Sequence, residues 1–359
     1  MKHVKPMSIV VKFFVVVMIG GLIIAFLSLG RLTDLVNEKR SINVLVWGQL
    51  LDKEFLSEFE QETGIRVNMS YMENNEELFA KIHSTEAHDY DLIMPSDWAV
   101  DLLIKDGLVK KLNRNKITVW DNLYPTLCHH YFDPGNTYTV PFCWSLVGLG
   151  INRLSWGSKA TPKKTWGLIF DERIMPKRIG MIENPRALIV LAAFYLFGEI
   201  RPLQDDEVDK IKKLLMRQRS HVEIYTDSRS EYVIASGAVS VGVVLSGDLL
   251  KIMRRFDTID FVIPEEGAFA VIDSFAIPIT SEKDDFVYSF LNYLFRPDIV
   301  EKYADKFDFF PAIKLDTIEY DDRFARLTEP TQDLFDNIHF FEDVISKEVV
   351  NDILITLKT

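Results

Sequence analysis

"YTVPFCWSLVGLGIN", residues 138–152, is the stretch on which the fold turns. It is long, apolar and interrupted by Pro141, and it reads as an extended segment crossing between domains. "IDFVIPEEGAFAVIDSFAIPIT", residues 259–280, contains a second long extended path. Two such paths, near 141–152 and 262–278, predict two crossings between two α/β domains that face each other across a cleft.

Strand and helix patterns alternate on both sides of these paths. "INVLVWG" (42–48) reads as a strand. "KEFLSEFEQET" (53–63) places Phe55, Leu56 and Phe59 at helical spacing, with Gly64 as a stop. "IRVNMSYM" (65–72) is a strand, "EELFAKIHS" (76–84) a helix and "YDLIMPSD" (90–97) the next strand. A helix over 99–112 breaks at Gly107. Further on come the strand "RIGMIE" (178–183), the helix "RALIVLAAFYLFG" (186–198) and the amphipathic "DDEVDKIKKLLMRQR" (205–219). "AVSVGVVLSGDLLKIM" (238–253) is a strand then a helix, and Arg296-Pro297 ends a helix over 284–300. The last 40 or so residues read as helical. Alternation of this kind argues an α/β fold with a mainly parallel sheet. Ligands in open α/β sheets sit at the C-terminal ends of strands, so those ends are where the site is expected.

The chain has 359 residues, 48% hydrophobic and 26% charged, enough for two ordinary domains and without the composition of disorder. Its net charge of −12 disfavours a nucleic-acid partner, which needs a basic footprint. Lys2, Lys5 and Lys12 precede "FFVVVMIGGLIIAFLSLG" (13–30), a basic flank followed by an uncharged apolar run. Residues 1–40 are therefore either a cleaved export signal or an uncleaved membrane anchor. Both place residues from about 41 onward outside the cytoplasm. No cysteine follows the run, which excludes lipid modification there. The two cysteines, Cys128 and Cys143, either pair in an oxidising compartment or sit as buried thiols.

Enzyme signatures do not appear. The histidines form no H-E-x-x-H, and no cysteine–histidine spacing suits zinc. "LSGD" (245–248) lacks the flanking glycines of a nucleophile elbow. There is no P-loop or dinucleotide fingerprint, and no cofactor is expected. Strand ends instead carry aromatic and acidic residues. Trp47 ends the first strand, Ser96, Asp97 and Trp98 end the third, and Trp144 and Asp273 lie in the two crossings. A carboxylate beside an indole suits an alkylammonium. The anion compensates a charge that is costly to bury, and the ring adds a cation–π attraction of about 0.5–2 kcal/mol. The competing reading makes Asp97 a helix cap and Trp98 core packing.

These residues sit within a wider match. "FEQETGIRVNMSYMENNEELFAKI" (59–82), "YDLIMPSDW" (90–98), "YFDPGNTYTVPFCW" (131–144), "VIDSFAIP" (271–278) and "LNYLFRPD" (291–298) resemble the polyamine-binding proteins of spermidine/putrescine ABC transporters. The resemblance implies a two-domain periplasmic binding protein fold, the type II Venus flytrap, in which ligand closes the cleft and a membrane permease reads the closed form. The lobes it implies are 41–146 with 272–317 and 147–271 with 318–359. It also implies a periplasmic monomer that captures a small polyamine and delivers it to an inner-membrane permease. Carried over residue by residue, the ligand contacts are Trp47, Ser96, Asp97, Trp98, Glu183, Asn184, Asp273 and Phe309. The match is eroded at several of them. An aspartate of the family becomes Asn184 and a glutamate becomes Ala187. Two pocket tryptophans fall at Leu245 and Val271, and a tyrosine falls at Phe309. A long triamine would leave ammonium groups unpaired here. The alternatives are a short diamine, a less charged solute, or a membrane-anchored sensory module of the same fold.

Overall fold

The computed structural model describes residues 18–19, 40–48, 50–84, 89–156, 163–227, 229–315, 325–342 and 344–358. The apolar run at 13–30, apart from Met18 and Ile19, lies outside them. Among the described residues no helix is long and apolar enough to cross a membrane.

Eleven strands among the described residues form one continuous sheet: β1 (Ser41–Trp47), β2 (Arg66–Met72), β3 (Leu92–Ile93), β4 (Thr139–Asn152), β5 (Ile179–Met181), β6 (Val222–Tyr225), β7 (Val241–Leu245), β8 (Ile259–Val262), β9 (Ala268–Ala276), β10 (Phe310–Pro311) and β11 (Ile338–Phe340). Its main path runs β2-β1-β3-β9-β4-β7-β5-β6. Each end of the sheet is parallel: β1 with β2 and β3, and β5 with β6 and β7. The centre is antiparallel, with β9 against β4 from Thr139↔Ala276 to Val147↔Phe269 and a register shift between Pro141 and Cys143. The sheet is thus mixed, parallel at its flanks and antiparallel at its middle. A fourteen-residue strand spans on the order of 45 Å, enough for β4 to pair with β9 and β10 at one end and with β7 and β8 at the other. Pro141, which cannot donate to a ladder, sits where the register shifts.

The helices that position the site are α1 (Leu56–Thr63), α2 (Asn75–His83), α3 (Asp97–Lys105), α4 (Pro185–Phe197), α5 (Asp205–Gln218), α6 (Ser246–Met253), α7 (Asp284–Leu294), α8 (Pro297–Phe307) and α9 (Lys347–Lys358). Gly64 ends α1 at φ 66°, a conformation glycine adopts without strain. Pro297 opens α8 at its first turn. One core gathers Phe59, Phe142, Phe290, Leu291 and Tyr303. A second gathers Trp166, Ile189, Leu191, Ile211 and Phe269.

Three expectations are corrected, the first being a mainly parallel sheet: the two long central strands run antiparallel and make it mixed. The third strand is only Leu92–Ile93, because the chain turns at Pro95 and α3 begins at Asp97 rather than 99. The C-terminal stretch is not all helix: β11 pairs in parallel with β9, and Phe341 stacks on Phe269 at 4.3 Å. Burial against the central strand overrides local propensity there. Of the two alternatives for the cysteines, free thiols are what the structure has, Cys143 buried and Cys128 half-buried.

Candidate functional site

The central strands are almost wholly buried, and their few accessible positions converge. In β4 only Ser145 keeps solvent contact; in β9 only Val271 and Asp273; in β7 only Leu245. Side chains two apart share a face of a strand, and Asp273 pairs with Cys143 as Val271 pairs with Ser145. These four residues form one patch of sheet. Leu245, on the next strand, extends it, and Trp47 at the end of β1 is also half-buried. The patch lies at the middle of the sheet.

Asp273 is its single carboxylate. It accepts the Ser96 Oγ hydrogen at 2.7 Å, and the Cys143 Sγ lies 3.8 Å from its other oxygen. Ser96 also bridges to it through the backbone. Loss of solvent pushes the Asp273 carboxyl up to about 6, against the pull of Ser96, Trp47 and Cys143. The group is crowded yet keeps some solvent contact.

Ser96 holds the N-cap position of α3, but its hydroxyl goes to Asp273 instead of capping the helix. Asp97 follows in the first helical turn. It is 1% exposed, its Oδ1 accepts the Trp98 N–H at 2.9 Å, and its Oδ2 has no hydrogen-bond partner among the described residues. Burial pushes its carboxyl well above the usual range, and the Asp273 charge adds to this. The Tyr131 hydroxyl is likewise buried and unpartnered among the described residues, and the Trp47 indole N–H is buried near Asp273 without reaching hydrogen-bond geometry. Burial raises the Tyr131 phenol, with Asp97 adding to the effect. Buried polar groups normally find partners, so these unpartnered atoms near Asp273 stand out.

The other predicted residues lie elsewhere. Trp98 is half-buried and packs against Phe79 at 6.0 Å. Phe309 is 5% exposed and packs on Phe142 in the core. Glu183 and Asn184 belong to the turn before α4. Glu183 is exposed. Asn184 caps α4, accepting the Ala187 N–H at 3.1 Å, and its Nδ2 donates to Glu76 Oε1 at 3.1 Å. Sequence reasoning missed what holds this turn: Asp227 accepts the Glu183 and Asn184 N–H groups, both at 2.8 Å. Its carboxyl is raised by loss of solvent, with the Glu183 and Glu76 charges adding, though solvent at the side chain screens the push. No sequence pattern marks "YTDSRS" (225–230) as this clamp. Asp133 was missed as well, although "DPG" (133–135) signals a turn.

The Asn184–Glu76 bond joins the turn before α4 to α2, elements assigned to different lobes by the sequence reading. Asn184→Asp keeps an oxygen for the Ala187 N–H but sets a carboxylate against Glu76. The variant is expected to open the empty protein, shifting the open-to-closed ratio about fivefold, or roughly 1 kcal/mol. Small-angle scattering reads this as a larger radius of gyration, and adding Glu76→Gln is expected to reverse it. No change in the radius would mean that this bond does not hold these elements together.

Among the described residues no group of histidine, cysteine or acidic side chains could hold a metal ion. Residues 54–315 match the profile of bacterial extracellular solute-binding proteins. The chain is 26% identical over 281 residues to the spermidine/putrescine-binding periplasmic protein of Escherichia coli (strain K12), covering 78% of this chain and 79% of that one. It is 27% identical over 304 residues to the putrescine-binding periplasmic protein PotF of the same organism, covering 80% and 82%. It is similar in fold to a spermidine/putrescine ABC transporter substrate-binding protein from Streptococcus pneumoniae, with a TM-score of 0.75, 20% identity and coverage of 89% and 98%. The TpPotD lipoprotein of Treponema pallidum gives a TM-score of 0.74 at 21% identity, with coverage of 88% and 99%. These likenesses carry the two-domain type II fold. The chain belongs to the bacterial extracellular solute-binding protein family.

Proposed function

We propose that this protein is the periplasmic substrate-binding component of a polyamine-type ABC transporter, working as a monomer with an inner-membrane permease. The observation that carries the reading is the central patch of sheet, where one carboxylate with solvent contact, Asp273, stands beside an apolar strip of Val271 and Leu245. An ammonium group pairs with Asp273, and the attached methylenes lie over the strip and against Trp47. The names of the two E. coli relatives support a spermidine- or putrescine-class ligand. The composition of the patch narrows the choice. With a single carboxylate there, a short diamine is favoured over a long triamine, whose further charges would lack anions. The proposed lobes are 41–146 with 272–317 and 147–271 with 318–359, joined through β4 and β9. The role is capture and delivery, with no catalytic step. Residues 1–40 serve export, as a cleaved signal or a retained anchor.

The test is calorimetric titration of the purified protein, freed of carried-over ligand by unfolding and refolding. Putrescine, cadaverine, spermidine and spermine are titrated, with amino acids and a simple sugar as controls. Micromolar or tighter binding of a short diamine, weaker for spermine, is the expected result. Silence across the amines would sink the reading and favour a less charged solute over the same apolar strip.

A further inference from the structure

Asp97 and Asp273 come from different elements, and the Asp273 charge acts on the buried Asp97 carboxyl. Asp273 rises from β9, and Asp97 follows Ser96, the residue that donates to Asp273 at 2.7 Å. The groups acting on the pair are the Trp47 indole from β1, the Ser96 hydroxyl before α3, the Cys143 thiol from β4 and the Tyr131 phenol from the loop before β4. Beyond Tyr131 lie two further acids, Asp101 and Glu342, and Asp101 is paired with Lys105 at 2.6 Å. Among the described residues neither Asp97 nor Asp273 is paired with a positively charged side chain; the partners of their carboxyls are the Trp98 N–H, the Ser96 hydroxyl and the Cys143 thiol.

Two neighbouring carboxyls without a cation do not both ionise; one keeps a proton. Accessibility decides which. Asp273 still meets solvent and carries the charge, while Asp97, 1% exposed with an unpartnered oxygen, keeps the proton. Resting on the reading that Asp273 binds an ammonium, we propose that Asp97 is a reserve carboxylate whose proton is released when a cation enters the site. The step balances simply. The cation arrives with all its own hydrogens, the Asp97 O–H bond breaks, and the proton leaves to bulk water. The complex then holds one cation between two carboxylates. A second anion is thus supplied at the patch only when a ligand requires it. A primary ammonium, with three N–H donors, can serve both carboxylates at once, whereas a quaternary ammonium has no hydrogen to give either.

The experiment is titration of the purified full-length chain with putrescine at pH 7 in phosphate and in Tris, whose ionisation heats differ widely. A heat that differs between the buffers, equivalent to release of a large part of one proton, is expected. Affinity should also tighten from pH 7 to pH 8, by up to about tenfold. Asp97→Asn keeps an acceptor for the Trp98 N–H but has no proton to lose. It is expected to bind about tenfold more weakly, with equal heats in the two buffers. The wild-type buffer comparison needs no variant and stands if Asp97→Asn folds poorly. Tight putrescine binding with equal heats overturns the proton linkage while leaving Asp273 as the ammonium anchor. No heat with putrescine, cadaverine or spermidine overturns both.

Discussion

Asp273→Asn is expected to abolish amine binding and, in the same molecule, to stabilise the empty protein at pH 7. Binding is lost because the variant leaves a buried ammonium without an anion, a loss of roughly 3–5 kcal/mol, or a hundredfold or more in affinity. The stability gain follows from the Asp273 carboxyl, held at about 6 in the folded protein against an ordinary 3.8. The folded state therefore holds this proton more tightly than the unfolded chain. As pH rises from about 4 to about 6, the unfolded chain gives the proton up first, and stability falls across that window. Above it the ionised, desolvated carboxylate costs on the order of 1–2 kcal/mol, the two-unit shift being discounted for the solvent Asp273 still meets. An asparagine of the same shape carries no such charge. Melting temperatures of both proteins at pH 4.5 and 7.5 check this: the variant should gain on the wild type at pH 7.5 and not at pH 4.5. Comparing the two proteins cancels carboxylates that shift the other way, such as Asp171 beside Arg173 and Glu207 beside Arg201, each held at about 2. A variant that binds putrescine as the wild type does would remove Asp273 from the site.

The second large effect is expected at Asp133, which binds no ligand in this reading. Its carboxylate is 3% exposed and accepts four hydrogen bonds, from the N–H groups of Thr137, Tyr138 and Thr139 and from Thr139 Oγ1, all at 2.9 Å. These bonds close the loop that carries Tyr131 and leads into β4. Asp133→Ala strands several buried donors and is expected to cost roughly 3–5 kcal/mol, seen as a lower denaturation midpoint with an unchanged slope. Asp133→Asn, which offers one oxygen in place of two, should lose less. If the alanine variant cost under about 1 kcal/mol, water would be replacing the carboxylate and the loop would not depend on it.

Much of the fold was legible because it rests on local patterns. Helical spacing of Leu56 and Phe59, the Gly64 stop and the apolar run at 142–151, broken only by Ser145, each have one cheap conformation. The end of β3 was misjudged because Pro95 and the Ser96–Asp273 bridge cut the strand short, and that bridge lies 177 residues away in sequence. The parallel strand β11 was misread because its partner, β9, is remote in sequence and supplies the burial that makes Ile338–Phe340 extended.

The sequence by itself carried the architecture, an α/β fold built about two long central strands, and it singled out Asp273 on the second of them. Periodicity and the cost of breaking it are local, so they can be read along the chain. The surroundings of that anion were decided only by the tertiary structure. It withdrew the Ser96 hydroxyl from its helix and gave it to Asp273, buried Asp97 beside it, turned Trp98 to Phe79 and Phe309 into the core, and clamped Asn184 with an unforeseen Asp227. Each of those outcomes depends on desolvation and on which distant group completes a hydrogen bond, and neither quantity exists until the strands are packed.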